Sequence, residues 1–318
     1  MASITEFAAL LAQAEQAVFH GPPEQALVLL EQAGNAADDP ARLAVRWLTG
    51  VALGSLGRYG QALAELEPLL GRPGAGLPDT ALMHERLFAG YGAGTVASLL
   101  RQVGDHAGGE SLDRWGLDVL AGLAVAGAEA WADCAIGWAA DAVGLGQAEV
   151  AMQRLQAAAD HVARSPPEQW RVRVRLGWAV AEVALLTGRP GDAVTASRQA
   201  VLGAERARAP RHVAKSLLFL GVAQLEAADD GAAPVAVGVL RRSAMLAEEL
   251  GLLPLVWPAR AVLGAALATG ATGSAAAVEA QESLESARAA VRTIAAGLPP
   301  ALRQAWLTRP DIEALLAG

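Results

Sequence analysis

The sequence predicts an all-α fold, a solenoid of stacked antiparallel helix pairs. Hydrophobic residues make up 53% of the 318-residue chain but aromatic residues only 4%, and a core rich in Ala and Gly favours helices that cross at short distances. A chain of this length should form either two domains or one elongated stack with ample apolar surface to bury. Val, Ile and Thr never form an alternating run bounded by turn residues, so we expect almost no β-sheet.

A turn of the form Gly-x-x-x-x-Ala recurs with helical sequence on both sides, at residues 21–26, 57–62, 146–151 and 188–193. The Gly can end one helix in a left-handed backbone, and a proline such as Pro190 can begin the next helix without losing a needed donor. A small residue lies seven positions before each turn Gly, at Ala14, Gly50, Ala139 and Ala181. The pattern therefore predicts helix hairpins whose two helices approach closely.

The segments near 7–40, 43–76, 132–165 and 174–207 resemble tetratricopeptide repeats, whose pattern places small residues at positions 8, 20 and 27. Position 27 is held by Ala33, Leu69, Ala158 and Ala200. Two looser matches lie near 214–250 and 257–297. The resemblance implies a right-handed α-solenoid of about six to seven antiparallel helix pairs.

The repeat pattern divides the chain into three predicted segments. Residues 1–77 are predicted to hold N-terminal helix pairs, residues 78–130 a degenerate repeat or junction, and residues 131–318 further pairs with a C-terminal cap. We expect the three to form one continuous solenoid. In the middle segment, Gly104 is followed by Gly109 where the motif places Ala. Pro68 falls inside a predicted second helix and should kink it.

The C-terminal tail is predicted to close the open end of the stack. Leu298-Pro299-Pro300 interrupts the last long helix, and residues 301–307 and 310–312 predict two short helices, which a repeat array needs as a cap. This tail resembles the C-terminal end of the tetratricopeptide-like region in large bacterial ATPase and transcriptional regulators. Nothing in the sequence resembles the nucleotide-binding or DNA-binding parts of those regulators.

Charge and cysteine content exclude several classes of protein. A formal charge of −8 and a pI near 5.2 argue against a nucleic-acid partner, because phosphate binding needs a basic face. Cys134 is the single cysteine, so no disulfide framework or thiolate metal cluster is predicted. The N-terminus lacks the basic region of a secretory signal, and the longest uncharged stretch, 261–278, is interrupted at Gly270 to Gly273. We therefore expect a cytoplasmic protein without a membrane partner.

No catalytic, cofactor or metal site is predicted. A phosphate-binding loop needs Gly-Lys-Ser/Thr, and the one lysine, Lys215, lies between Ala214 and Ser216. The histidines are scattered, without the i, i+4 spacing that zinc sites on helices use. The pairs Asp38-Asp39 and Asp229-Asp230 lie beside Pro or Gly and are interpreted as turn or cap residues. The sequence therefore predicts a protein that is not an enzyme.

The tetratricopeptide resemblance implies a concave groove faced by positions 2, 5, 9 and 12 of each repeat. These positions supply nine candidate partner-binding residues: Trp47, Val51, Arg175, Trp178, Glu182, Leu185, Lys215, Leu218 and Val222. Trp47 and Trp178 occupy equivalent positions and are candidate anchors. Core packing is the alternative for both, since an error of one residue in the repeat register moves a groove Trp into the core. Arg175 and Lys215 are candidate clamps for a peptide carboxylate, with solvated surface charge as the alternative.

The leading hypothesis is a non-catalytic scaffold or adaptor whose concave groove binds a peptide or helix of a partner protein. The alternative is a peptide- or ligand-responsive regulatory module that acts through a partner, for which a closed pocket with converging polar groups would be evidence. A helical enzyme would need clustered carboxylates or a bound metal. Self-association is a further alternative, because a second copy can cover an apolar solenoid edge.

Overall fold

A computed structural model describes residues 4–34, 39–71, 77–78, 80–166, 168–227, 233–270 and 274–318. Within these ranges the chain is helical and contains no β-strand, so the predicted all-α fold is confirmed. The α-helices of these ranges are α1 (Ile4–His20), α2 (Pro23–Gly34), α3 (Asp39–Ser55), α4 (Tyr59–Leu66), α5 (Met83–Gln102), α6 (His106–Leu120), α7 (Ala124–Gly144), α8 (Ala148–Arg164), α9 (Trp170–Leu186), α10 (Pro190–Arg206), α11 (Pro210–Glu226), α12 (Ala233–Glu249), α13 (Leu253–Gly270), α14 (Ser274–Ala296), α15 (Pro300–Leu307) and α16 (Pro310–Ala317).

Consecutive helices pack as antiparallel pairs. In the described part of the chain there are seven, α1/α2 through α13/α14, which confirms the predicted number. We call the first helix of each pair its A helix and the second its B helix. The short helices α15 and α16 both pack on α14, and Trp306 and Ile312 are buried there at 1% and 0% exposure. The predicted C-terminal cap is therefore confirmed.

The chain divides into two compact units, residues 1–172 and residues 173–318, called unit 1 and unit 2. Unit 1 contains α1 to α8 and the first turn of α9, and unit 2 contains the rest of α9 and the helices up to α16. Within unit 1, α1 contacts α3, α3 contacts α5 and α5 contacts α7. The A helices of unit 1 therefore form one continuous layer. The predicted boundaries after residues 77 and 130 stay predictions.

The glycine turns have the expected backbone at three of the four predicted positions. Gly57, Gly146 and Gly188 have φ values of 81°, 71° and 67°, in the left-handed region that costs glycine least. Gly21 turns the chain without a positive φ. Gly104, with φ of 90°, joins α5 to α6 in the same way. The degenerate segment 78–130 thus holds a complete helix pair.

Small residues allow the A and B helices to cross closely. A Cβ atom on Gly221 of α11 would lie 2.5 Å from Cγ of Leu240 on α12, and one on Gly50 of α3 would overlap the side chain of Leu66 on α4. Helix α4 ends just before Pro68, and residues Glu67–Leu70 continue as a short 3₁₀ helix. The predicted kink is therefore realised as a helix end, as expected for a proline that removes a backbone donor.

Candidate binding cavity

The A helices of unit 1 line a partly open cavity of about 260 Å³. Its wall is built from α1, α3, α5, α7 and the start of α9. The lining residues are Ala12, Glu15, Gln16, Phe19, His20, Trp47, Tyr91, Glu129, Glu168, Trp170 and Arg171. Four of these eleven residues are Phe, Trp or Tyr, although these residues make up only 4% of the chain as a whole. The cavity is therefore a local concentration of rings in an aromatic-poor protein.

Trp47 is held rigidly in the wall of this cavity. Its ring stacks on Tyr91 with centroids 4.2 Å apart and lies 6.1 Å from the ring of Phe19. The indole Nε1 donates a 3.1 Å hydrogen bond to Thr95 Oγ1, and this hydroxyl donates to the backbone carbonyl of Tyr91. Only 9% of Trp47 is exposed. The residue thus contributes to the packing of α3 against α5 while one part of it faces the cavity.

Arg171 supplies the guanidinium of the cavity, and its charge is already paired. Its Nη2 lies 2.6 Å from Asp133 Oδ2 and 2.9 Å from Glu129 Oε1, and its guanidinium carbon lies 5.3 Å from the centre of the Phe19 ring. Burial alone would lower the pKa of Arg171, but the carboxylates of Asp133 and Glu129 outweigh burial and raise it. Arg171 therefore stays charged and ties α9 to α7.

The remaining charged groups of the cavity are acidic. Glu15 and Glu168 are exposed at its edge. Burial raises the pKa of the Tyr91 hydroxyl, and the charges of Glu129, Asp133 and Glu15 raise it further, with partial opposition from Arg171. Three carboxylates therefore act on this hydroxyl against one guanidinium.

Of the two groove residues predicted in α3, the structure places one in the cavity. Trp47 lines it, whereas Val51, one turn further along the helix, is half-buried and is not part of the lining. The carbonyl of Val51 accepts a 2.7 Å hydrogen bond from the Ser55 hydroxyl. A role of Val51 in partner binding stays a prediction.

In unit 2 the structure brings Trp178 and Lys215 together. Trp178 is 8% exposed and its Nε1 donates a 2.8 Å hydrogen bond to Ser216 Oγ. Its ring stacks on His212 and Phe219 at centroid distances of 5.5 Å and 6.2 Å. Lys215 Nζ lies 4.6 Å from the centre of the Trp178 ring, a cation–π distance. Both predicted residues therefore share one aromatic cluster between α9 and α11.

The other predicted residues of unit 2 are all half-buried: Arg175, Glu182, Leu185, Leu218 and Val222. Leu185 packs against a cluster of buried alanines from α9, α10 and α11. Leu218 packs against buried leucines of α12 and α13. These two leucines contribute to the core of unit 2, and partner contact by the five residues stays a prediction.

Several cavity residues were missed in the sequence, although the repeat register held a signal for some of them. Glu15 is position 9 of the repeat at 7–40. Asp133, which is not a lining residue but pairs with Arg171, is position 2 of the repeat at 132–165. Extending the groove positions to these repeats would have found both. Tyr91 lies in segment 78–130, where no register was assigned. Trp170 and Arg171 precede the repeat assigned to 174–207, and no sequence pattern marked them.

A second polar cluster in unit 1 is buried between α5, α6 and α7. Arg101 Nη1 lies 2.5 Å from Asp113 Oδ2 and 2.9 Å from Asp141 Oδ2, and both aspartates have no exposed surface. Burial lowers the pKa of Arg101, but the two carboxylates raise it above its usual value. A Cβ atom on Gly137 would overlap Asp113, so this glycine leaves room for the ion pairs. The cluster joins three helices in the interior.

The described residues contain no metal-binding cluster and no membrane-spanning helix. No group of three or more His, Cys, Asp or Glu side chains there has the geometry to hold a metal ion. The predicted turn residues Asp38, Asp229 and Asp230 lie outside the described part of the chain, and nothing is described of the Asp39 side chain. None of the described helices combines the length and the apolar character needed to cross a membrane.

Comparison with known proteins finds similarity in structure and none in sequence. No protein-family model and no curated protein matches the chain. The structure of a Rap protein complexed with competence and sporulation factor matches with a TM-score of 0.51 and 14% identity, over 98% of this chain and 99% of that one. The structure of aspartyl phosphate phosphatase F from Bacillus subtilis matches with a TM-score of 0.50 and 14% identity, over 100% of this chain and 83% of that one.

The fold is TPR-like. Rap proteins are TPR-like helical-repeat proteins, and the match to the first structure extends over almost the full length of both chains. At this level of identity the similarity shows the fold alone. The TPR-like fold agrees with the repeat pattern of the sequence and with the seven helix pairs of the described residues.

Proposed function

We propose that the protein is a non-catalytic binding module that holds a peptide segment of a partner against its A helices. The observation that carries this proposal is the aromatic cavity of unit 1, whose wall comes from five A helices. Large rings provide much contact area with little loss of side-chain entropy. A ligand in the cavity would contact several helix pairs at once, which is how a repeat protein uses its concave face.

One of the similar structures supports a binding role. A Rap protein with a similar fold was solved as a complex with competence and sporulation factor. The second similar structure is an aspartyl phosphate phosphatase, and a phosphatase assay of the purified protein tests the non-catalytic part of the proposal. The negative charge of the chain, −8, supports a protein or peptide partner over a nucleic acid.

The residues predicted in unit 2 extend the proposal. Arg175, Glu182 and Val222 are half-buried on A helices, so part of each side chain is accessible to a partner. Trp178 and Lys215 contribute a cation–π pair. We propose that these side chains form a further contact surface within unit 2.

The second candidate function is a ligand-responsive regulator that acts through a partner protein. Polar groups converge on the cavity of unit 1, where Arg171, Glu129 and Glu15 meet the rings, and such convergence is typical of a specific ligand pocket. The resemblance of the tail to repeat regions of large bacterial ATPase and transcriptional regulators supports the same candidate.

Selection from a displayed library of random linear peptides tests the binding role. Ala12 is exposed and lines the cavity, so Ala12→Trp should fill the entrance without disturbing the core. Gln13→Trp places the same ring on an exposed position of α1 outside the lining. Selected peptides should bind the Gln13→Trp protein like wild type and the Ala12→Trp protein about tenfold or more weakly. Failure to select any peptide, or equal binding to both variants, would contradict the proposal.

Hydrogen exchange of the peptide-bound protein separates the two candidates. A scaffold should gain protection only in the helices that line the cavity. A regulator should also change protection in helices away from the lining, such as α6 and α8, because a ligand shifts an equilibrium between conformations.

A further inference from the structure

The cavity of unit 1 has an excess of negative charge that its internal ion pairs do not neutralise. Three of its lining residues are carboxylates, Glu15, Glu129 and Glu168, against the single guanidinium of Arg171. Arg171 is already shared between Glu129 and Asp133. Glu15 and Glu168 form no ion pair with any residue in the described ranges. The cavity edge therefore presents two carboxylates to a ligand.

The same cavity offers aromatic faces beside these carboxylates. Trp170 is half-buried and tilts against His20 at a centroid distance of 5.3 Å, and Tyr91 is half-buried beside Trp47. One ring of this cavity already contacts a cation, since the guanidinium of Arg171 lies over the ring of Phe19. Carboxylates with aromatic faces are the combination that recognises organic cations, through ion pairing and cation–π attraction.

We propose that this cavity binds a cationic group, the ammonium or guanidinium of a peptide ligand, at Glu15, Glu168 and the neighbouring rings. The proposal rests on the proposed peptide-binding function and names the chemistry of the group that enters. The volume of about 260 Å³ is smaller than the roughly 300–1,000 Å³ of pockets that hold whole drug-sized ligands. The cavity therefore receives one side chain or one chain terminus, and the rest of the peptide lies outside.

The charge distribution of the cavity argues against an anionic ligand. An anionic group would approach three carboxylates, and Arg171 has no charge left unpaired to receive it. Besides burial, the carboxylates of Glu129, Asp133 and Glu15 raise the pKa of the Tyr91 hydroxyl, with partial opposition from Arg171. A free polyamine shares the chemistry of a lysine side chain, so the source of the cation has to be tested separately.

The first measurement uses small probes and does not depend on any peptide. Nα-acetyl-lysine amide is titrated into protein labelled with ¹⁵N at the indole nitrogens, and the indole NMR signals are followed. Nα-acetyl-norleucine amide serves as the uncharged probe. The variant Trp170→Phe assigns the signal of Trp170. The lysine probe should shift the Trp170 signal, and the norleucine probe should not. The double variant Glu15→Gln, Glu168→Gln should bind the lysine probe about fivefold or more weakly than wild type.

The matched control removes the same charge elsewhere. Glu31 of α2 and Glu149 of α8 are exposed and lie outside the lining, so Glu31→Gln with Glu149→Gln should bind the lysine probe like wild type. Equal binding of the norleucine probe, or an unchanged lysine affinity in the Glu15 and Glu168 variant, would overturn the cation site.

The second measurement identifies the source of the cation and separates the two proposals. A pool of pentapeptides with Lys, Arg, norleucine or Glu at each position is compared with spermidine. Enrichment of Lys or Arg peptides, with tighter binding than spermidine, supports the peptide source. Tighter binding of spermidine than of any peptide overturns it. Peptide binding without preference for Lys or Arg would contradict the cation site and leave the proposed peptide-binding function intact. Binding of the lysine probe without binding of any peptide would support the cation site and contradict the peptide-binding function.

Discussion

The indole ring of Trp47 stacks on the phenol ring of Tyr91, with 4.2 Å between their centroids and 27° between their planes. This stack joins α3 to α5, and both rings also line the cavity of unit 1. Core and groove were opposed interpretations of Trp47 in the sequence. In the structure the residue contributes to packing and faces the cavity as well, so its replacement affects both stability and the shape of the site.

Replacing Trp47 with Ala should strongly destabilise the protein. The change removes a side chain that is 9% exposed, and large-to-small changes of a buried Trp cost about 3–5 kcal/mol. Trp47→Phe keeps a ring in place and should cost less, although it loses the hydrogen bond to Thr95. Urea denaturation followed by circular dichroism measures both. An unfolding free energy of Trp47→Ala equal to that of wild type would show that the ring does not support the core.

The buried ion pairs of Arg101 should be more important for stability than any exposed pair. Arg101→Ala leaves the carboxylates of Asp113 and Asp141 buried without their cation, which costs about 3–5 kcal/mol for a buried charge that loses its partner. Arg189, whose pair with Asp192 is exposed, provides the control, and Arg189→Ala should have no measurable effect. Chemical denaturation of both variants checks the prediction. Equal stabilities would mean that water reaches the aspartates once Arg101 is removed.

Two glycines of one helix pair should respond to alanine in opposite directions. Gly221→Ala places a methyl group 2.5 Å from Cγ of the buried Leu240, and overpacking of this kind costs about 1–3 kcal/mol. Gly238 of α12 has open space around its Cβ position, so Gly238→Ala should stabilise the helix by about 0.5–1 kcal/mol. Thermal unfolding of both variants gives the sign of each change in stability relative to wild type. A stabilising Gly221→Ala would show that α11 and α12 have room to separate.

The two tyrosines of the chain should resist ionisation while the protein is folded. Burial raises the pKa of Tyr59, and burial with nearby carboxylates raises the pKa of Tyr91, both above the usual value of 10.0. The unfolded chain releases these protons near about pH 10. The stability that the two groups contribute is therefore present below that pH and decreases as the pH rises above it.

Absorbance at the tyrosinate band during an alkaline titration measures this effect. The signal should appear together with the loss of helical circular dichroism, whereas protein in concentrated urea should titrate near about pH 10. Tyrosinate that forms reversibly near pH 10 in fully helical protein would contradict the assigned burial of both hydroxyls.

The helix pairs could be predicted from the sequence because their signals are local. A turn glycine such as Gly57, with a small residue seven positions before it, specifies a hairpin from a few neighbouring residues. The pair α5/α6 was interpreted as degenerate because Gly109 stands where the motif places Ala. In the structure a Cβ at Gly109 would lie 2.7 Å from Oδ1 of the buried Asp141, so this glycine accommodates an ion-pair cluster that no local pattern reveals.

The cavity could be predicted only in part, because its residues come from five separate helices. Trp47 was identified from its repeat position. Tyr91 and Glu129 lie outside any assigned register, and their proximity to Arg171 depends on how the A helices pack. Such long-range juxtaposition is set by packing geometry, which the pattern of apolar residues does not specify.

The pairing of each helix with its neighbour in the sequence has a kinetic consequence. Proteins dominated by local contacts close only short loops before stabilising interactions form, and they fold faster than proteins that must join distant strands. A hairpin such as α11/α12 brings its two helices together within one short stretch of chain. Each hairpin can therefore assemble on the ribosome soon after it emerges, before the next one has been synthesised.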